Sequence, residues 1–519
     1  MTKKFLALLL AVVMVCAMGI PVSAAVADTD VAKIGDNGYA TLDAAFTAVK
    51  DGETIVLLKD VELQPVLNSG SYYDGIIYVG DKSFTLDLGG KTISGASGIN
   101  DYLIYLNNKG EKANEITFVN GTIAGGANLW NVIAVSGNSA TFPTTLNLGT
   151  GLTVTGDGSG NNGEDGVIKV RRNSIVNVLD GAKIVSQAAL YGVQAGASEA
   201  TVNIYDGAVI EHNYNNAGAI AVTGTGTCNV FGGKITSANV AVQPSSSGTP
   251  AITISGGEIK APTAVVSGSD WNNYPDASSS ITISGGKLEG DVIAQAWGTT
   301  DSNSASISIT ITGGELKDDI IVNANCSADI SGGTVASVTV ASSAEATISG
   351  GTVKGDLNAA AGDLTVTGGT FEKESVQNNV QNYAPTGSTV VGGEVLLPMY
   401  ATFKADGNTI ATVTYYKNQT AITEPAVPAK EGYYGYWAAY ELNGDITVNA
   451  KYVKIVDRSR VSFVADGRLV GIILYRANQD ELTVLPKVPA KEGYVGTWAE
   501  YTLTGKNMIV RAVYTPIAE

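Results

Sequence analysis

The sequence predicts an all-β fold, a long solenoid of short stacked strands followed by two small β modules. Three observations carry this. A double glycine recurs inside a fixed frame of apolar residues, as in "AITISGGEI" at 251–259 and "SITISGGKL" at 280–288. The composition is that of a turn-rich β protein, with 62 glycines and only 16% charged residues in 519. From Tyr400 the double glycines stop, and two segments that match each other follow.

The chain begins "MTKKFLALLLAVVMVCAMGIPVSAAVA". Lys3 and Lys4 precede an apolar run from Phe5 to Ile20, and small residues follow, so residues 1–27 read as a secretory signal peptide. Cleavage after Ala24 or after Ala27 fits. Val15 is too bulky for the residue before a lipidated cysteine, which argues against a lipoprotein reading of Cys16. No other segment is apolar for long enough to span a bilayer. With no sorting motif in "VYTPIAE", the expectation is a secreted, extracellular protein without membrane insertion. Any attachment to a cell surface would be non-covalent or indirect. The formal net charge is −17, and losing Lys3 and Lys4 makes it −17 − 2 = −19. That disfavours nucleic acid and anionic lipid as partners. Cys228 and Cys326 do not make a disulfide scaffold. Both fall at inward positions four coils apart, about 19 Å along the axis, so they are expected to be buried and reduced.

The first glycine of each pair falls at 232, 256, 285, 313, 332, 350 and 368. The spacings are uneven, as in a solenoid whose corners accept insertions. Two residues earlier stand Val230, Ile254, Ile283, Ile311, Ile330, Ile348 and Val366. Four residues earlier stand Cys228, Ile252, Ile281, Ile309, Ala328, Ala346 and Leu364. Between them lie polar or β-branched residues such as Thr253, Thr282 and Thr310. This alternation is a strand with one buried face. Looser copies occur earlier, for example "LDLGGKTI" at 86–93 and "VLDGAKIV" at 178–185. Coils therefore run from Thr54 to Phe371, giving a rod of about 50–60 Å. The double glycine allows a corner with positive φ to be reused in every coil.

Both ends need closing, because open strand edges invite aggregation. "ATLDAAFTAVKDG" at 40–52 reads as a short helix. Thr41 is its N-cap, Leu42, Phe46 and Val49 form one apolar face, and Gly52 stops it. At the far end Val376, Val380 and Tyr383 share a face before Pro385. With these columns in view, residues 31–395 resemble the right-handed parallel β-helix proteins of the pectin-lyase-like superfamily. They are closer still to "ISGG"-repeat surface proteins of Gram-positive bacteria. The β-helix with its caps is assigned to 28–395.

The C-terminal segments pair "TFKADGNTIATVTYY…PAVPAKEGYYGYW" with "SFVADGRLVGIILYR…PKVPAKEGYVGTW". Phe403 aligns with Phe463, Trp437 with Trp498 and Tyr440 with Tyr501. Asp406-Gly407 and Asp466-Gly467 are tight-turn dipeptides. Both modules, 396–455 and 456–519, resemble the internalin-type B repeat, a β-grasp-like module of bacterial surface proteins. The resemblance implies a stalk or adhesive accessory. The tryptophans are expected in each small core.

Chemistry is sparse. His212 is the sole histidine, and Arg171 and Arg172 are the only arginines before residue 458. An Arg-x-Lys clamp of the kind polyuronide enzymes use is missing. His212 in "VIEHNYNN" reads as a solvated loop residue. "GDGSGNNGEDG" at 156–166 offers Asp157, Ser159, Asn161, Glu164 and Asp165 as Ca²⁺ ligands. It departs from the EF-hand pattern at Asn162 and Ile168, so a plain coil insertion competes with that reading. The best binding signal is positional. Insertions at 243–250, 267–279 and 297–306 leave consecutive coils at one corner and bring together Trp271, Tyr274, Trp297, Asp270, Asp276 and Asp301. Aromatic faces with carboxylate acceptors suit sugar rings.

The expected function is that of a secreted or surface-associated, non-enzymatic, adhesin-like monomer. Its partner would be an extracellular glycan or a host or cell-surface protein. A polysaccharide lyase or glycoside hydrolase on the β-helix is the alternative. An ice-binding surface on the threonine ladder is the remote one, and Asp329 interrupts that ladder.

Overall fold

The computed structural model describes residues 26–126, 129–157, 166–189, 191–196, 199–267, 279–296, 307–360, 363–454, 458–476 and 479–517. The signal-peptide reading of 1–27 therefore lies almost wholly outside the described residues. Contacts divide the chain into two compact units, Met1–Leu397 and Pro398–Glu519.

The first unit is a parallel β-helix. Each coil contributes short strands to ladders that run along the axis, and every coil-to-coil pairing from Thr54–Leu57 to Thr370–Phe371 is parallel. One ladder holds the strand before the double glycine. It aligns Cys228, Ile252, Ile281, Ile309, Ala328, Ala346 and Leu364 in register, as the sequence columns require. A second ladder follows the glycines and stacks Ile235, Ile259, Leu288, Leu316, Val335, Val353 and Phe371. A third carries strands such as Tyr102–Asn107, Asn131–Ser136, Gly166–Val170 and Tyr191–Ala195. The inward side chains form one apolar cluster from Ala32 to Val395.

The corner shows why two glycines are needed. A Cβ on the first one, Gly285, would stand 2.2 Å from the carbonyl oxygen of Ser255 in the preceding coil. The second, Gly286, has φ +84°, a region that L side chains rarely adopt. The first glycine permits close stacking of backbones, and the second permits the turn.

In-register stacking also organises the outside. Asn177 donates to Asn147 (2.8 Å), Asn203 to Asn177 (2.9 Å) and Asn229 to Asn203 (2.9 Å). This amide ladder precedes the threonine ladder of Thr253, Thr282 and Thr310, which Asp329 then enters.

Both ends are capped. The N-terminal helix is Leu42–Ala48, with the Ala44 amide donating to Thr41 Oγ1 at 3.2 Å. The helix ends at Val49, before Gly52, and Leu42, Phe46 and Val49 are buried. At the far end Val376 and Val380 are buried and Tyr383 packs against the core. A hairpin of Thr389–Val391 and Glu394–Leu396 then pairs antiparallel with Thr370. Cys228 and Cys326 are free and buried. Burial pushes the Cys228 thiol up to about 12 and the Cys326 thiol up to about 11.

In the second unit each segment forms its own four-stranded sheet. Hairpins turn at Asp406-Gly407 and Asp466-Gly467, all four residues having positive φ. Trp437 and Trp498 lie edge-on to Phe403 and Phe463, each pair 4.9 Å apart between ring centres. Their indole N–H groups donate to the carbonyls of Pro425 (2.7 Å) and Pro486 (2.6 Å). Both tryptophans are core anchors, as expected from their fixed place in the two copies.

Two expectations about loops are corrected. Residues 243–250 are not a long free insertion. A strand, Val240–Gly248, runs through most of them and pairs Gln243 with Ala221 and Gly248 with Gly224 around an irregularity. The pairing reaches Pro244, opposite Val222, and resumes at Gly248. His212 is not a solvated loop residue. It ends the strand Val209–His212, is 1% exposed, and its Nδ1 lies 3.0 Å from Ser237 Oγ.

Candidate functional site

The predicted corner site falls on Asp270, Trp271, Tyr274, Asp276, Trp297 and Asp301, all outside the described residues. Its flanks are described. Strands Ala251–Ile254, Ser279–Ile283 and Ile307–Ile311 begin at one corner in register, with Ala251 opposite Ser280 and Ser279 opposite Ile307. Of the proposed Ca²⁺ ligands, Asp157 is exposed at the end of Leu152–Gly156, while Ser159, Asn161, Glu164 and Asp165 lie outside the described residues.

A second cluster sits on the outside of the third ladder, towards the N-terminal end. It is built where three coils enter that ladder. A hairpin, Val66–Ser69 with Tyr72–Asp74, projects from the first of them. Its apolar side chains are unusually open, with Leu67 57% and Tyr72 38% exposed. Asp74 closes the hairpin and leads through Gly75 into Ile76–Val79. In the next coil the Asn100 and Asp101 amides donate to the Tyr73 carbonyl, at 3.0 and 3.1 Å. In the third, the Trp130 and Asn131 amides donate to the Asp101 carbonyl, both at 3.1 Å. Backbone pairing thus stacks Tyr73, Asp101 and Trp130 along one corner, with Asp74 falling beside Tyr102 of the next coil.

The side chains converge on this stack. Asp74 Oδ1 accepts from the Tyr102 amide at 3.1 Å. Arg171 reaches back across the ladder and donates from Nη1 to the Tyr102 hydroxyl at 2.7 Å. Its guanidinium lies 5.9 Å from the Tyr102 ring centre and 5.8 Å from that of Tyr105. Tyr72 meets Trp130 edge to face at 5.1 Å. The carboxyls are buried, Asp74 at 0% and Asp101 at 7% exposure. Asp74 Oδ2 and Asp101 Oδ1 carry no hydrogen bond among the described residues.

Burial dominates the electrostatics. It pushes the Asp74 carboxyl up to about 6 against the lowering pull of the Tyr102 amide, and Asp101 raises it further. Arg171 and Asn68 act the other way and do not offset the burial. Burial likewise raises Asp101, with Arg171 opposing. The result is a pair of neighbouring buried acids beside a cation and four aromatic rings.

The sequence contains this cluster but does not signal it. Asp74 and Asp101 sit in "YYDG" and "NDYL", outside the double-glycine frame, and Arg171 lies 69 residues from its partner Tyr102. The one available clue is that each aspartate stands at the entry to an apolar strand of the same ladder, Asp101 directly and Asp74 one glycine ahead.

Another ionic group is structural. Glu289 takes Lys260, Lys287 and Lys317 at 3.0, 3.4 and 3.2 Å, which holds its carboxyl down at about 2. These residues come from consecutive coils and tie the stack on its surface. Among the described residues, no three His, Cys, Asp or Glu side chains converge as a metal site.

Comparison with protein-family models, with curated proteins and with solved structures finds no match to this chain.

Proposed function

We propose that this chain is an exported, non-enzymatic surface protein whose β-helix binds an extracellular glycan. The observation that carries the reading is the cluster of Tyr72, Trp130, Tyr102 and Tyr105 gathered around Asp74, Asp101 and Arg171. The exposed Tyr72 ring and the neighbouring Trp130 and Tyr105 rings supply apolar contact to sugar rings, while the buried Asp74 and Asp101 carboxyls and Arg171 hold the cluster together from beneath. The insertions at 267–279 and 297–306, which carry Trp271 and Trp297, offer residues of the same chemistry for a second candidate site. The resemblances to right-handed β-helix surface proteins and to internalin-type B repeats favour a binding role over a catalytic one.

The test is a glycan array on the mature chain, followed by titration of any hit against two variants. Loss of affinity in Trp130→Ala assigns the ligand to the N-terminal cluster, and loss in Trp271→Ala assigns it to the corner. A hit that survives both substitutions, or no hit at all, removes the proposal.

A further inference from the structure

The two C-terminal modules share a fold but not an outer face. In the second, Val461, Phe463 and Ala465 point into the core, so Ser462 and Val464 point out. Register then places Leu469, Ile472 and Ile509 on that outer face, with Val513 beside Thr497. These four aliphatic side chains are 59%, 48%, 59% and 48% exposed, respectively. The equivalent positions of the first module hold Thr409, Thr412, Thr447 and Lys451. The fold therefore does not require apolar residues there. A sheet face with this much open aliphatic surface is a contact surface.

Its charges are all of one sign. Arg460, Arg476 and Arg511 lie on the same face, and no outward strand position of this sheet carries a carboxylate. The contrast with the rest of the chain is large. Residues 398–519 hold 13 Lys and Arg against 12 Asp and Glu, a net of +1, which leaves −17 − 1 = −18 for residues 1–397. The chain's whole acidity belongs to its first unit. The bias against anionic lipid inferred from net charge therefore does not extend to this face, since charges further off than about 8 Å are screened at physiological salt.

We propose that the outer face of the second C-terminal module docks on an anionic lipid surface, lying on it without spanning it. Aliphatic side chains enter the boundary of headgroups and acyl chains, and the arginines meet lipid phosphates. Charge selects this occupant over a second copy of the chain, because face-to-face pairing would bring arginines against arginines.

The test uses the full chain from residue 28 with sedimenting vesicles of phosphatidylcholine, with and without phosphatidylglycerol. Binding is expected only with phosphatidylglycerol, and high salt should release it. The triple variant Leu469→Thr, Ile472→Thr, Ile509→Thr restores the first module's residues and so should fold. It should lower vesicle affinity at least about tenfold. Changing Arg460, Arg476 and Arg511 to Gln should lower it by about fivefold for each arginine. No binding to the anionic vesicles at low salt overturns the proposal, as does binding that neither variant weakens. A wild-type dimer that the threonine variant converts to a monomer also overturns it, by assigning the face to self-association.

Discussion

At the scale of single residues, the corner glycines and the buried aspartates make opposite demands. Gly285 is fixed by a neighbour that cannot move, the Ser255 backbone carbonyl 2.2 Å from where a Cβ would lie. Gly285→Ala must push two coils apart and is expected to cost about 2–4 kcal/mol. Gly126, with nothing within 4 Å of a Cβ and no positive φ, is the control. Gly126→Ala should stay within about 0.5 kcal/mol in a denaturant melt. Equal costs at the two sites would mean that the coils do not stack this closely. Asp74 is instead held in an environment that suits its neutral form. Its folded pKa, about 6, lies above the ordinary 3.8. The folded chain therefore binds this proton more tightly than the unfolded chain does. Its contribution is most favourable below 3.8 and is lost as pH rises through about 6. The amount is on the order of 3 kcal/mol. Asp74→Asn keeps an acceptor for the Tyr102 amide and removes the charge. It should raise stability at neutral pH and leave it little changed at acid pH. A wild type and variant that lose stability in parallel between those pH values would show that Asp74 titrates normally.

At the scale of the strand, the alternation that betrays the fold can be tested directly. Ile283 is fully buried between Ile254 and Ile311, while Thr282 stands on the outer side between Thr253 and Thr310. Ile283→Asp buries an unpaired charge and should cost several kcal/mol, whereas Thr282→Asp should be mild. Similar losses in urea melts of the two variants would reverse the assignment of faces. The same elements show what a sequence can and cannot reveal. A strand repeated in every coil writes its buried column plainly, which is why Ile254, Ile283 and Ile311 could be aligned from the chain alone. The caps were readable too, since Thr41 and its apolar helix face follow local rules. The Asp74–Asp101–Arg171 cluster was not readable. It depends on a hairpin that interrupts the repeat and on an arginine reaching across coils, so no periodicity marks it. His212 misled for a related reason. The polar residues after it suggested a loop, but the preceding strand carries it into a buried position beside Ser237.

At the scale of the whole molecule, the apolar contacts fall into separate bodies. The β-helix cluster spans Ala32 to Val395, the first C-terminal core is built on Ala401, Phe403, Tyr415, Trp437 and Val448, and the second on Val461, Phe463, Tyr475 and Val510. A solenoid core of this length gains its stability coil by coil from neighbours. Each C-terminal module instead has only a handful of fully buried side chains, close to the minimum for a small domain. The modules should therefore melt below the β-helix and independently of it. Phe463→Ala removes the ring against which Trp498 and Tyr501 pack, and such a truncation costs about 3–5 kcal/mol. That is most of what a module of this size has to lose. Differential scanning calorimetry of the variant should show the heat of one small transition lost or moved to low temperature, with the main β-helix transition unchanged. Arg-face lipid contacts should disappear with that module, while any glycan affinity seated on Trp130 or Trp271 should persist. A single transition that shifts as a whole in Phe463→Ala would mean that the cores are energetically one body, and the assignment of separate tasks to them would fail.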